Sequence, residues 1–146
     1  MDMAPTFHML LYRAFHAQRK HLRQNMEPLG LGSGQPKLLA YLTVAGPCHQ
    51  RELASYYELN PAAVSRMLEA LERGGFVTRR PDAASRRRDL VEITDKGRRA
   101  HQQWEDRCQE LEQVMLSDFT EKERAQFCDY LARAHRNLRS AEEGHT

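Results

Sequence analysis

The chain has 146 residues, a formal net charge of +2, and 40% hydrophobic but only 8% aromatic residues. This length predicts one compact domain with a modest core, and the small net charge excludes a polycation that binds nucleic acid over its whole surface. Three irregularly spaced cysteines argue against a disulfide framework, and no apolar stretch reaches the roughly 18 residues of a membrane helix, so we expect a cytoplasmic protein.

The first predicted elements are two helices. An amphipathic helix is expected over residues 5–26, because apolar residues fall on one side at spacings of three, four and seven. These residues are Phe7, Leu10, Leu11, Ala14, Phe15 and Leu22. Pro28 and the glycines after it end this pattern. A second helix is predicted over residues 36–45, where Gly46-Pro47 stops it. The segment over residues 48–50 that follows has the length of a minimal strand.

Two short helix patterns come next, over residues 51–58 and 61–73, with Leu59-Asn60 as the turn between them. Asn60 is a good N-cap, and Pro61 suits the first helical position because an N–H there would be unpaired anyway. We expect the second helix to end at Gly74 in the left-handed conformation. A helix pair alone is weak evidence for DNA binding.

A hairpin is predicted directly after this helix pair. Its strands are expected over residues 76–80 and 90–94, with a loop over residues 82–89. Five arginines and one acid, Asp82, lie between positions 79 and 88, so the local charge is about +4. A protruding cationic loop suits phosphate or minor-groove contact. Together, the helix pair (51–73) and the arginine-tipped wing (76–94) outline a winged helix-turn-helix.

The C-terminal part is predicted to form two long amphipathic helices. Thr94 is a plausible N-cap for a helix that ends near Met115, and Thr120 with Glu123 has the spacing of a capping box for the last helix. Exposed apolar stripes would cost several kcal/mol at about 25 cal/mol per Å². They either pack on the winged core or, as we expect, join two chains in a symmetric dimer.

This order of elements resembles the MarR family of bacterial transcriptional regulators. The residues that carry the resemblance are Glu52-Leu-Ala, Val64-Ser-Arg66, the stretch from Leu68 to Val77, Arg86, and the stretch from Val91 to Gly97. The resemblance implies a single MarR-type domain over residues 1–146, mainly α with a small β-hairpin wing. The winged core would occupy residues 34–94, and residues 5–26 and 95–141 would form the dimerisation helices.

The resemblance also implies how such a homodimer meets double-stranded DNA. The second helix of the pair would enter the major groove, and Arg86 would insert into the adjacent minor groove. Two-fold symmetry would match a palindromic operator. Val64, Leu68 and Leu71 should face inward. The residues expected at the DNA are Gln35, Lys37, Asn60, Ala62, Ala63, Ser65, Arg66, Arg80, Arg86, Arg87 and Arg88.

Two positions depart from the family pattern. The family usually has an aspartate two residues before the wing arginine, where this chain has Ala84. Asp82 and Asp89 are the alternatives for that role, and a looser wing is the third. The recognition helix starts with Ala62 and Ala63, which cannot hydrogen-bond a base edge but can touch a thymine methyl group. Base reading should then fall chiefly to Ser65 and Arg66.

The function expected from the resemblance is repression that a small-molecule effector relieves. An aromatic or amphipathic effector would bind between the dimerisation helices and the winged core. The family's crevice lies near the first, second and fifth helices. The effector-binding residues expected here are Tyr12, Arg13, His16 and Tyr41.

Other functions find less support in the sequence. It contains no nucleophile elbow, phosphate loop or zinc-protease spacing, so neither an enzyme nor a cofactor is predicted. A metal-responsive regulator is an alternative, but the N-terminal histidines do not share a face, and His101 with Glu105 gives only two ligands. For a thiol-redox regulator, Cys48 is the more exposed candidate and Cys108 and Cys128 are expected to be buried. A protein-interaction module is the remaining alternative.

Overall fold

The computed structural model describes residues 4–145, without the side chains of residues 86–88. A single 3-10 turn, Glu27–Leu29, follows the first helix. The described part of the chain forms six helices and three strands: α1 (Phe7–Met26), α2 (Gln35–Ala45), β1 (Cys48–His49), α3 (Gln50–Tyr57), α4 (Pro61–Arg73), β2 (Val77–Asp82), β3 (Ser85–Ile93), α5 (Asp95–Met115) and α6 (Glu121–Glu143). The predicted fold, mainly α with a small hairpin, is confirmed.

The chain divides into two compact units, Met1–Gln109 and Glu110–Thr146. The first unit contains α1 to α4, the sheet and most of α5. The second contains the end of α5 and all of α6, which are joined by a short turn where the Arg124 Nη2 donates to the carbonyl of Leu116 at 2.8 Å. Among the described residues, no helix is long and apolar enough to span a membrane.

The core of the first unit lies between α2, α3, α4 and the sheet. From α4 it takes Val64, Leu68 and Leu71, whose spacings of four and three place them on one helical face. All three are fully buried, so the predicted inward face is confirmed. The other large side chains below 2% exposure are Leu38, Leu39, Leu42, Leu53, Val77 and Val91.

The sheet has the order β1-β3-β2 and is antiparallel throughout the described strands. The predicted minimal third strand is confirmed as β1, which pairs Cys48 with Val91 and His49 with Leu90. On the other side of β3, Val77 pairs with Ile93. Since side chains alternate along strands, Cys48, Val77 and Val91 share the face that covers the core.

The hairpin loop is much shorter than predicted. Only Ala83 and Ala84 separate β2 from β3, so the loop predicted over residues 82–89 is wrong. The physical reason is an Asp82 side-chain turn, in which the Ala84 N–H donates to the Asp82 carboxylate at 3.0 Å. Consequently residues 86–88 belong to the strand β3 and not to a long loop.

The predicted helix caps are formed. The Asn60 side chain accepts a hydrogen bond from the Ala62 N–H at 2.8 Å. The Gly97 N–H donates to the Thr94 hydroxyl at 3.1 Å, which caps α5. The prediction that Gly74 adopts the left-handed conformation is wrong by one residue. Gly74 is right-handed, and Gly75 is left-handed with φ +77°. A Cβ on Gly74 would meet the Phe76 ring at 2.7 Å, so close approach accounts for that glycine.

Candidate nucleic-acid interface

The recognition helix of the winged motif is α4, and its burial pattern decides which side chains can reach a ligand. Because Val64, Leu68 and Leu71 anchor one face, the opposite face is open. Ala62 and Arg66 are exposed there, while Ala63 and Ser65 are half-buried. Among the residues that the structure describes, Arg66 has no ion-pair partner. It is therefore the available cation in the first two turns.

Two of the predicted wing arginines form ion pairs within the protein. The Arg79 Nε lies 3.7 Å from the Glu72 carboxylate on α4, and its Nη2 donates to the carbonyl of Ser65 at 3.5 Å. The Arg80 Nε lies 3.4 Å from the Glu92 carboxylate on β3. These two acids offset part of the positive charge expected from the sequence. Strand alternation places Arg79 on the core side with Val77, which is the signal that could have indicated its contact with α4.

Arg86, Arg87 and Arg88 are predicted to contact DNA. The structure describes the backbone of these three residues but not their side chains. Their backbone continues β3 directly from the two-residue turn. The wing, predicted over residues 76–94, is formed by Val77–Ile93. Pro81 pairs with Asp89 and Asp82 with Ser85, so residues 86–88 lie in β3 where the register shifts, without an opposite residue on β2.

A contact that the sequence did not predict lies at the end of β2. The His49 Nε2 is 3.0 Å from the Asp82 Oδ2, and both side chains are mostly buried, at 21% and 15% exposure. Asp82 also accepts from the Ala84 N–H. Of the two aspartates considered as partners of a wing arginine, Asp82 is thus paired with a histidine. Asp89 is exposed and lies opposite Pro81.

The expected DNA-contacting residues on α2 have contacts inside the first unit. The Gln35 Oε1 accepts from the Gly32 N–H at 2.8 Å. The Lys37 Nζ lies 6.0 Å from the centroid of the Tyr57 ring, and the Tyr57 hydroxyl donates to the Lys37 carbonyl at 2.6 Å. Lys37 also lines a cavity.

This cavity, called here the cationic cavity, has a volume of about 680 Å³ and lies within the first unit between α1, α2 and α5. Three cations from two helices line it: Arg19, Arg23 and Lys37. Its aromatic walls are Phe15, Tyr57 and Trp104, and Glu105 is the acid in the lining. A hollow of this size with aromatic walls is typical of a small-molecule site.

The four effector residues expected from the sequence are placed elsewhere. Tyr12 is 66% exposed and stacks on His16 with ring centroids 5.6 Å apart, and Arg13 is exposed. Tyr41 lines a separate hollow of about 270 Å³ and contacts Tyr56. None of the four lines the cationic cavity. The signal that could have found the lining is the spacing of Phe15, Arg19, Leu22 and Met26, which places them on one face of α1.

The three cysteines differ from expectation. Cys48, expected to be the more exposed, is buried because β1 pairs with β3, whereas Cys108 is half-buried and Cys128 is exposed. Burial raises the pKa of the Cys48 thiol to about 12, with the nearby Glu52 adding to the effect. Only the thiolate reacts readily, so Cys48 is poorly suited to redox sensing. Among the described residues, no group of three or more metal-binding side chains is close enough to hold an ion.

The described geometry defines a winged helix-turn-helix protein, and comparison with known proteins identifies its family. The MarR family profile matches residues 32–88. An HTH-type transcriptional regulator of Bacillus subtilis (strain 168), YwoH, is 30% identical over 74% of this chain and 78% of its own length. The chain therefore belongs to the MarR family of transcriptional regulators, as the sequence predicted. This family is a class of regulators and not of enzymes, which confirms that prediction as well.

Solved structures agree with this assignment. A crystal structure of MarR superposes with a TM-score of 0.80 at 27% identity and covers 97% of this chain and 98% of that one. A mutant MarR from E. coli complexed with operator DNA has a TM-score of 0.77 at 25% identity, and the match covers 86% of this chain and 90% of that one.

Proposed function

We propose that the protein is a homodimeric repressor that binds a palindromic double-stranded DNA operator and is released by a small-molecule effector. The observation that carries the proposal is the recognition helix α4, with its exposed start, joined by Arg79 to a wing whose strand carries three consecutive arginines. The related MarR that was solved with operator DNA supports the same ligand here.

In this proposal α4 lies in the major groove. Ser65 and Arg66 read base edges, and Ala62 and Ala63 contact thymine methyl groups. Residues 86–88 of the wing reach the adjacent minor groove, where arginine side chains follow the negative potential. Because Arg79 and Arg80 are paired with acids, most of the phosphate contact falls to the arginines beyond the turn.

Homodimer formation is supported by the terminal helices, each taken by itself. On α1, Phe7 is 74% exposed and Phe15 is 55% exposed, and on α6 Leu138 is 67% exposed. Apolar surface of this extent on two long helices is typical of a face that a second subunit covers. A two-fold dimer would set two copies of α4 about one DNA turn apart.

A DNA-binding experiment tests the proposal with two substitutions in the interface. Arg66→Ala should alter the preference among operator variants by about 1–3 kcal/mol per lost base contact. Arg86→Ala should weaken binding to all duplexes and lower the log–log salt slope by about 0.9 per lost phosphate contact. Fluorescence anisotropy with labelled duplexes at several salt concentrations measures both effects.

The matched control for the DNA experiment is Arg136→Ala on α6, which removes the same charge from an exposed site on the side opposite the apolar stripe of that helix. It should bind like the parent. Equal losses for Arg66→Ala and Arg136→Ala would mean that binding is unspecific attraction to net charge, and the interface would be assigned wrongly.

We propose the cationic cavity as the effector site, and a small aromatic anion as its ligand. Arg19, Arg23 and Lys37 supply positive charge, while Phe15 and Trp104 supply ring surfaces. If the effector lowers the affinity of the protein for the operator by some factor, the operator lowers the affinity of the protein for the effector by the same factor.

Trp104 is the only tryptophan in the chain and lines the cavity, so its emission reports on occupancy. Titration with benzoate-type anions should change the fluorescence, and Arg23→Ala should weaken binding by about tenfold, since it removes a charged hydrogen-bond donor. The matched control is Arg13→Ala, an exposed arginine on the same helix. A larger loss for Arg13→Ala would instead favour the group around Tyr12 and His16.

A further inference from the structure

We propose that His49 is a positioning residue for the wing, which holds the turn before residues 86–88 through Asp82 and strengthens DNA binding when its imidazole is protonated. The inference rests on the proposed DNA-binding function. It concerns a contact that joins the start of the helix-turn-helix to the far end of the wing.

The first argument is the place of His49 at the start of α3. It is the N-cap residue of that helix, a position where serine, threonine, aspartate or asparagine normally accepts a bond from the helix N–H groups. The His49 side chain makes no capping bond. Its Nε2 instead lies 3.0 Å from the Asp82 Oδ2. The side chain at this position thus serves a tertiary contact and not its own helix.

The second argument is the distance that this contact bridges in the sheet. β1 and β2 are on opposite sides of β3, with His49 and Arg80 both opposite Leu90. The His49–Asp82 pair therefore reaches past β3, from the edge strand next to α3 to the end of β2. The pair thus links the end of the wing to the start of the helix-turn-helix.

The third argument is the double use of the Asp82 carboxylate. One oxygen contacts His49, and the other accepts from the Ala84 N–H and closes the two-residue turn. The strand register shifts at this point, between Pro81 and Asp82. His49 consequently holds the Asp82 end of the turn that precedes residues 86–88.

Histidine is the side chain that changes charge between about pH 5 and pH 8, and a charged donor forms a stronger bond to a carboxylate than a neutral one. The Asp82 carboxylate places a negative charge 3.0 Å from the imidazole. On the same sheet face, Arg80 adds a positive charge but is paired with Glu92. On α3, Glu52 contacts Cys48, Arg51 is exposed, and the helix amino end also opposes the charge. Alternation turns Asp89 of β3 to the other face.

The His49 Nδ1 is buried without a hydrogen-bond partner among the described residues, which limits the gain from protonation. We therefore expect a moderate effect: operator affinity about three- to tenfold tighter at about pH 6 than at about pH 8, consistent with one charge-assisted bond per wing. The affinity falls as the pH rises, because the charged pair is lost.

The test compares the parent with His49→Gln and with the matched control His101→Gln. His101 is also half-buried with an unpartnered Nδ1, but it lies on α5. Anisotropy with a labelled duplex should show a flat pH profile for His49→Gln and the parental profile for His101→Gln. A parental profile for His49→Gln would overturn the proposal.

A second readout separates this proposal from the proposed function. In the DNA-free protein, the Ala84 amide resonance should shift between about pH 6 and pH 8 in the parent and in His101→Gln, but not in His49→Gln. Should the parent bind no duplex, the proposed function fails and the amide titration still decides the role of His49. If His49→Gln does not fold, His49→Asn replaces it, since asparagine suits the N-cap of α3 and does not titrate. A pH-dependent Ala84 shift in this variant between about pH 6 and pH 8 would contradict the proposal.

Discussion

At the scale of single residues, the surroundings of a side chain in this protein decide whether its chemistry is available. Arg66 and Arg79 carry the same group, yet Arg66 is exposed on α4 whereas Arg79 is half-buried against Glu72 and Ser65. The cysteines show the same contrast. Cys48 is buried beside Glu52, while Cys128 lies exposed on α6.

This contrast predicts the order in which the thiols are modified. With iodoacetamide at about pH 8, Cys128 should react first and Cys48 last, because a thiol with a raised pKa forms little thiolate. Raising the pH toward about 10 should still leave Cys48 slow, since its pKa is about 12. Mass spectrometry of peptides after timed labelling measures the order, and rapid labelling of Cys48 in the folded protein would contradict it.

Residue roles that depend on nearby positions in the sequence could be predicted, and those that depend on distant partners could not. Asn60 caps α4 through Ala62, two residues away. Cys48 was placed wrongly because its burial comes from pairing with Val91 on β3. The partners of His49 and Arg79, which are Asp82 and Glu72, also lie on other elements, and no local sequence pattern indicates these contacts.

At the scale of elements, caps and turns fix where helices and strands begin. The last helix shows this most completely, since the Thr120 hydroxyl accepts from the Glu123 N–H and the Glu123 carboxylate accepts from the Thr120 N–H at 2.9 Å. The predicted capping box is thus confirmed. In the wing, by contrast, the Asp82 side-chain turn extends both strands beyond their apolar pattern, which is why their lengths were predicted too short.

The capping box predicts a pH-dependent contribution to stability. The bond from the Thr120 N–H lowers the pKa of Glu123. The bond between Thr120 and ionised Glu123 therefore stabilises the folded state above the ordinary pKa of glutamate. This stabilisation is lost as the pH falls through the lowered pKa of Glu123. Glu123→Gln should melt at a lower temperature than the parent at about pH 7, and the difference should shrink at about pH 3.

Calorimetry of Glu121→Gln provides the control for this prediction. Glu121 has the same charge in the first turn of α6, so it shares the helix-dipole effect. Only Glu123 forms the box with Thr120. An equal loss and an equal acid dependence in the two variants would show that the dipole, and not the cap, accounts for the effect.

At the scale of the whole molecule, exposed apolar surface on the terminal helices is the feature that a single chain leaves unexplained. On α6, Leu131 is 48% exposed and Phe127 is 43% exposed, with Leu138 on the same face. The order of elements along the chain and the family could be predicted from the sequence because periodicity and caps are local. The resemblance indicated a crevice near the first, second and fifth helices. It did not indicate which side chains line the cationic cavity, since α1, α2 and α5 are distant from one another in the sequence.

The proposed dimer predicts the effect of a charge placed on that face. Leu131→Glu should raise the dimer dissociation constant by at least about tenfold, because burying an unpaired carboxylate costs several kcal/mol. Ala132→Glu adds the same charge on another side of α6 and should leave the dimer intact. Sedimentation velocity at several concentrations measures both. A monomeric parent, or equal behaviour of the two variants, would contradict the dimer.

The central claim, that two copies of this winged fold bind one duplex through α4 and the wing, is tested most directly by selecting bound fragments from random duplex DNA with the full chain. We expect enrichment of an inverted repeat whose half-sites lie about 10 base pairs apart, one helical turn. Recovery of unrelated fragments, or of a single half-site without its repeat, would contradict the claim.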